Sequence, residues 1–204
     1  MTTPQALEQE IAQGLTYKLV SSLFLPAKKW DIPLSKRKDF ERQFALSRSQ
    51  PLDSDHVYTL PYPKVEFLRY LVTEHNMLLH GTVSPRIAAL MPRPQYDANG
   101  ASVRGVFATS DAIWPVFFAI IDRATFSGSM RNGCFVVDGP IEKRYYFFSV
   151  NRGWLARNAW SHGTIYVLPR SGFRRTDLAP VYFDEWISER AVQPIMKLHV
   201  TPWD

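Results

Sequence analysis

Apolar positions recur every four residues near the start of the chain, at Leu7, Ile11, Leu15, Leu19 and Leu23. That spacing predicts an amphipathic helix from Pro4 to about Phe24, with Pro26 as its stop. Ser35 precedes a second, strongly basic helix over residues 36–46, with Phe40 and Phe44 inward. Residues 49–63 read as a proline-punctuated connection. A third helix is expected over 64–75, with Val65, Leu68 and Leu71 on one face. The texture then changes. Met77-Leu78-Leu79-His80 reads as a short buried strand ending at Gly81-Thr82. Ser84-Pro85 opens a short helix through Leu90, since proline is tolerated in a first turn. Residues 92–100 read as a loop, 103–108 as a strand, and 112–123 as a helix capped by Ser110 or Asp111. The remainder is strand-like: 134–137, 145–150, 164–168, 181–188 and 194–200, with Gly, Pro, Asn and Asp between. Helices first and strands later predict an α+β fold. The chain divides into a helical segment, 1–76, and a core, 77–204.

Composition narrows the class. The 204 residues are 46% hydrophobic and 21% charged, the balance of one folded domain. A single cysteine, Cys134, excludes an internal disulfide framework and reads as a buried thiol. The first ten residues carry acids and no apolar stretch, so no secretory signal is expected. The longest apolar run, Ala112 to Ile121, is ten residues and contains Pro115, too short to cross a bilayer. A cytoplasmic location with no membrane partner is the expectation.

Charge is unevenly spread. The net charge is +5, yet residues 141–175 hold seven bases against Glu142 alone, a net +6 that leaves −1 elsewhere. The same window holds Tyr145, Tyr146, Phe147, Phe148, Trp154, Trp160, Tyr166 and Phe173. Interleaved arginines and rings suit phosphate and base stacking. They equally suit a sheet whose rings are core and whose arginines are solvated.

Several mechanisms are absent from the sequence. There is no GxxxxGK[ST] phosphate loop and no GxGxxG opening a helix. His56, His75, His80, His162 and His199 lack metal-ligand spacing, so no metal is expected. What remains is three strand-borne segments. In the first, His80 ends an apolar strand and Gly81-Thr82 follows, giving an imidazole beside backbone a ligand can approach. In the second, Arg104-Gly105-Val106-Phe107-Ala108 runs into the polar turn Thr109-Ser110-Asp111. In the third, acids enter an apolar strand at Asp184-Glu185-Trp186-Ile187-Ser188. Alternation places Glu185 with Phe183 and Ile187, and Asp184 with Trp186 and Ser188. Glu185 is then a half-buried functional acid, or a rim charge paired with Arg190.

These segments, in this order, resemble the ADP-ribosyltransferase fold in its diphtheria-toxin and poly(ADP-ribose) polymerase branch, whose signature is His-Tyr-Glu on three strands. His80-Gly81-Thr82 matches the first element, Gly105-Val106-Phe107-Ala108 the second, and Glu185-Trp186-Ile187-Ser188 the third. Phe107 stands where that signature has tyrosine. A second Ser161-His162-Gly163-Thr164 is not followed by the same order. The resemblance covers residues 77–200. It implies a split β-sheet core with NAD bound in its cleft as a substrate. His80 would hold the adenosine-side ribose, Gly81 backbone groups would pair with the nicotinamide carboxamide, and Thr82 would belong to the same cofactor site. Phe107, with Phe117 or Phe118, would stack on the nicotinamide. Glu185 would stabilise positive charge as the glycosidic bond breaks. Arg86 and Arg93 stand close enough after the first strand to reach phosphates.

The implied function is an NAD-dependent ADP-ribosyltransferase of the toxin or defence-effector kind. The basic window favours an RNA or DNA acceptor, and such a protein is expected to meet an antitoxin or regulatory partner. Three other readings stay open: a protein acceptor, an RNA 2′-phosphotransferase, and a non-catalytic nucleic-acid-binding module.

Overall fold

The computed structural model describes residues 23–27, 31–55, 57–98, 100–122, 124–125, 130–138, 142–157, 159–176 and 181–204. The helix expected from Pro4 lies outside the described residues except for its last positions.

A two-residue strand, β1 (Leu25–Pro26), opens the described chain, and two helices follow it. Helix α1, Leu34–Ser49, buries Phe40, Gln43, Phe44 and Ser47, the i, i+3, i+4, i+7 face of an amphipathic helix. Helix α2, Lys64–His75, buries Phe67, Leu68, Tyr70 and Leu71, and ends at Asn76 in the left-handed conformation, φ 53°. Ten further strands come after them, and the eleven make three antiparallel sheets. The first sheet is β11 (Met196–Val200), β7 (Gly163–Pro169) and β2 (Met77–Thr82). The second is β3 (Arg93–Tyr96), β4 (Ser102–Ala108), β10 (Trp186–Ser188) and β8 (Arg174–Arg175). The third is β1 (Leu25–Pro26), β6 (Lys143–Val150), β5 (Met130–Val137) and β9 (Val181–Phe183). Helix α3, Trp114–Ile120, and the single turn α4, Arg152–Ala156, complete the described elements. The chain is therefore mixed α+β.

Strand alternation sorts the core. On one face of β2–β7–β11, Leu79, Ile165, Val167 and Leu198 share a cluster with Phe40, Phe44, Phe67 and Leu71, so α1 and α2 pack directly on this sheet. On the other face, Leu78, Tyr166 and Leu168 meet Val106, Ala108 and Trp186 of β4 and β10. Helix α3 lies against β2 and β7 at close range. A Cβ on Gly81 would sit 1.8 Å from the Pro115 carbonyl oxygen, and one on Gly163 would sit 2.0 Å from that of Ala119.

Several elements differ from the sequence reading. No helix forms over 85–90. The Tyr166 hydroxyl donates to Ser84 C=O at 3.1 Å and accepts from Ile87 N–H at 2.9 Å, while buried Lys197 donates to Pro85 C=O at 3.1 Å. These long-range partners hold the segment in a bent, irregular path, against its local helix-start signal. The expected loop 92–100 contains β3, an exposed strand with no alternation to betray it. The helix read as 112–123 is confined to 114–120, because Ile121 leaves it to pair with Trp160. The strand read as 181–188 is two strands in different sheets, broken at Asp184–Glu185. Helix α4 interrupts the β-rich half, its first turn capped by Asn151 Oδ1, which accepts from Gly153 N–H at 2.8 Å.

The basic window does not form one outward stripe. Arg144 is inserted among Asp184, Asp111 and Glu142. Arg170 lies over the Trp186 ring, 4.0 Å to its centroid, and donates to Asn76 Oδ1. Arg174 pairs with Glu189, and Arg175 donates to the Tyr182 hydroxyl. Of the rings, Tyr145, Tyr146, Trp154 and Tyr166 are core. Arg152, Arg157 and Phe148 are exposed.

Candidate active site

The first two sheets meet at one bridge. Leu79 and Thr109 exchange both main-chain hydrogen bonds, at 2.8 and 3.0 Å. In an antiparallel ladder the next such exchange falls two residues on, here between Gly81 and Phe107. The strands diverge instead. The His80 imidazole spans the opening, its Nδ1 2.7 Å from the Phe107 carbonyl oxygen. A carbonyl only accepts, so Nδ1 carries the proton, and in the neutral ring Nε2 is an acceptor. By alternation the main-chain N–H and C=O of Gly81 point the same way as those of Leu79, away from β7 and into the opening.

That opening is a cavity of about 380 Å³, within the range of small-molecule sites. His80, Gly81, Phe107, Phe118 and Glu185 all line it, drawn from β2, β4, α3 and the β9–β10 turn. A second chamber of about 320 Å³ adjoins it and shares His80, Gly81, Gln95, Phe107 and Phe118 as a common wall. Thr82 lines only this second chamber, together with Ser84 and Arg93. Phe117 lines neither. It is buried against Ile121 and Trp154, because adjacent helix positions face about 100° apart and Phe118 takes the cavity side. The second His-Gly-Thr element, at 162–164, also lies outside both chambers: Gly163 and Thr164 are buried in β7. Arg86 lines neither chamber and borders a separate surface groove.

Glu185 is half-buried. Its Oε2 accepts from the Ala98 N–H at 3.0 Å, not from Arg190. Ala98 sits at the tip of the β3–β4 hairpin, a turn closed by Asp97 and by Gly100 at φ +81°. Burial raises the Glu185 carboxyl above the ordinary 4.5; the Ala98 hydrogen bond works against that, and Asp97 adds to it. Glu189, the other acid of the segment, is exposed and paired with Arg174 at 3.1 Å.

Sequence reasoning missed part of the wall. Trp114, Met130, Gln95 and Tyr96 also line the first chamber. The Trp114 indole N–H donates to Asn132 Oδ1 at 2.6 Å, which fixes the ring. The signal for Trp114 was its place at the first turn of the helix after Asp111, whose Oδ1 accepts from the N–H groups of Ile113 and Trp114. Nothing in the sequence pointed to β3. Among the described residues no three His, Cys, Asp or Glu side chains gather as a metal site, and no helix is long and apolar enough to cross a membrane.

Comparison with protein-family models, with curated proteins and with solved structures returned no match.

The arrangement offers a hydrogen-bonding main-chain edge at Gly81, an acceptor nitrogen at His80, aromatic walls at Phe107 and Phe118, and one carboxylate opposite them.

Proposed function

We propose that the chain is an NAD-dependent ADP-ribosyltransferase that acts on a nucleic-acid acceptor. The observation that supports this most is the meeting of His80, Phe107 and Glu185 at one cavity, although 105 positions separate the first from the last.

In this reading the first chamber takes nicotinamide and its ribose. The carboxamide pairs with the Gly81 main chain, and the pyridinium ring lies against Phe107 and Phe118. His80 Nε2 accepts from a ribose hydroxyl. The second chamber takes the adenosine half, with Arg93 facing the diphosphate. Glu185 accepts from the nicotinamide-side ribose. As the C1′–N bond breaks, its electron pair passes to the ring nitrogen and nicotinamide leaves neutral. The sugar becomes cationic, and the Glu185 carboxylate stabilises it electrostatically, with no proton or metal needed at that step. The acceptor nucleophile then bonds to C1′ and gives up its proton. Glu185 must be ionised for this work.

The acceptor class rests on the charge of the segment that supplies most of the second chamber's wall. Residues 83–104 carry exposed Arg86, Arg93 and Arg104 against one acid, Asp97, and exposed Met91 and Tyr96 lie among them. Cations beside exposed apolar and aromatic groups suit a phosphate backbone with unstacked bases.

The test is incubation with NAD labelled on the adenine side, together with RNA, DNA and a protein extract. Label in nuclease-sensitive material, with release of nicotinamide, is the expected result. Label in protease-sensitive material moves the acceptor to protein. No nicotinamide release with any of the three overturns the enzymatic reading.

A further inference from the structure

Directly behind Glu185 lies a buried polar cluster that the reaction above does not use. Asp184 is 1% exposed, at the point where the chain leaves β9 for β10 and changes sheet. Its carboxylate is saturated with donors. Oδ1 accepts from Ser110 Oγ at 2.8 Å and from the Trp186 indole N–H at 3.1 Å. Oδ2 accepts from Thr109 Oγ1 at 2.9 Å, from Ser110 Oγ at 3.0 Å, and from the Arg144 guanidinium. Arg144 also reaches Ser110 Oγ at 3.1 Å and lies 3.8 Å from Asp111. Asp111 in turn accepts from the Tyr146 hydroxyl and from the first N–H groups of α3.

The partners of Asp184 are the ends of the elements that build the cleft. Thr109 is the residue whose main chain joins β4 to β2 at Leu79, next to His80. Trp186 opens β10. The main chain at the turn is tight: Asp184 N–H donates to Cys134 C=O at 2.9 Å and Glu185 N–H to Phe183 C=O at 2.8 Å. One carboxylate therefore ties the His80 side of the cleft to the Glu185 side.

We propose that Asp184, held by Arg144, is the positioning residue for Glu185: it fixes the β9–β10 turn so that the glutamate faces the chamber lined by His80 and Phe107. The proposal rests on the reading of Glu185 as the catalytic carboxylate. Asp184→Asn is a severe probe despite its equal size. Whichever way the amide is placed, its NH₂ faces the indole N–H or the guanidinium, and neither can accept.

Two measurements decide it. The first is the titration of the Glu185 carboxyl carbon by NMR, assigned by its loss in Glu185→Gln. In Asp184→Asn the loosened turn lets water in, and the midpoint falls toward the ordinary glutamate value. The second is nicotinamide release from NAD: kcat falls at least about tenfold, and KM stays within about twofold, as for a lost transition-state interaction. An unmoved titration midpoint overturns the positioning role, whatever happens to catalysis. A wild type that releases no nicotinamide overturns the reaction instead, and the titration still decides the positioning. Should Asp184→Asn fold poorly, Asp184→Asn/Arg144→Met keeps the cluster's net charge, one negative at Asp111, and takes both measurements. Recovery of kcat together with melting temperature in that double variant reduces Asp184 to a structural role and overturns the proposal.

Discussion

Replacing Gly81 by alanine separates the packing account from its alternatives. The position needs no unusual backbone angle, so the whole cost is steric. The new Cβ lies 1.8 Å from the Pro115 carbonyl oxygen, where ordinary contacts begin at 3.4 Å. The obstacle is helix backbone, which cannot swing aside as a side chain can. Helix α3 must move off β2 by about 1.6 Å, and overpacking of this kind costs about 3 kcal/mol. For a chain of this size that lowers Tm by about 6–12 °C. The same shift carries Trp114, Pro115 and Phe118 away from the cleft, so NAD affinity falls as well. Scanning calorimetry reads the first effect and titration calorimetry with NAD the second. Gly172→Ala is the control: its added Cβ meets open space, and its φ of +85° costs about 1–2 kcal/mol with no change at the cleft. A Gly81→Ala protein that melts within about 2 °C of wild type and binds NAD equally well refutes the close seating of α3.

Further outcomes follow from the site. Glu185→Gln keeps shape and removes charge, so nicotinamide release drops by about 10²–10³-fold while NAD affinity is nearly held; parental turnover removes Glu185 from catalysis. His80→Ala loses the bridge to Phe107 C=O and an acceptor for ribose, and weakens NAD binding about tenfold by calorimetry, a change of about 1.4 kcal/mol. The acid limb of kcat/KM for NAD reports Glu185 in the free protein: its midpoint lies above 4.5, with activity rising as the carboxyl ionises, and a limb at or below 4.5 contradicts its burial. Burial works to raise the Asp184 carboxyl, but Arg144 and the hydroxyls of Ser110 and Thr109 outweigh it and hold the group below 3.8. A lowered folded value stabilises the fold above the unfolded pKa and loses that stabilisation as pH falls through the folded one. Chemical denaturation below pH 3.8 therefore shows a steep loss of stability in the wild type and a shallower one in Asp184→Asn.

Much of this architecture was legible in the chain. Helices α1 and α2 follow from Phe40 and Phe44 and from Leu68 and Leu71 at helical spacing, and β2 and β4 from short apolar runs ended by Gly81-Thr82 and Thr109. Alternation along one strand grouped Asp184 with Trp186; the strand is broken between them, and the Trp186 indole N–H nonetheless donates to Asp184 Oδ1 across the turn. The misses have physical causes. Ser84-Pro85 is a sound helix start, overruled by Tyr166 and Lys197, which arrive from about 80 and 110 positions away. Strand β3 is exposed at every position, so it has no period to detect. The break falls at the two acids that interrupt a run of strand formers, Asp184 and Glu185, and the change of sheet there depends on a partner the local sequence does not contain, Arg144, which pairs with the buried Asp184. Charge counting over 141–175 gave only part of the surface map: Arg144 and Arg170 are engaged within the fold, whereas Lys143, Arg152, Arg157 and Arg174 are exposed. Phe117 and Phe118 were indistinguishable in sequence, and only the seating of α3 on Gly81 and Gly163 sends one into the core and the other to the cleft.

The most direct measurement is a crystal structure of Glu185→Gln grown with NAD. The account predicts the nicotinamide amide hydrogen-bonded to the Gly81 main chain, its ring against Phe107 and Phe118, and the adenosine half beside Arg93. A dinucleotide seated anywhere else, or crystals that stay free of it at saturating concentration, would contradict the assignment of this cleft.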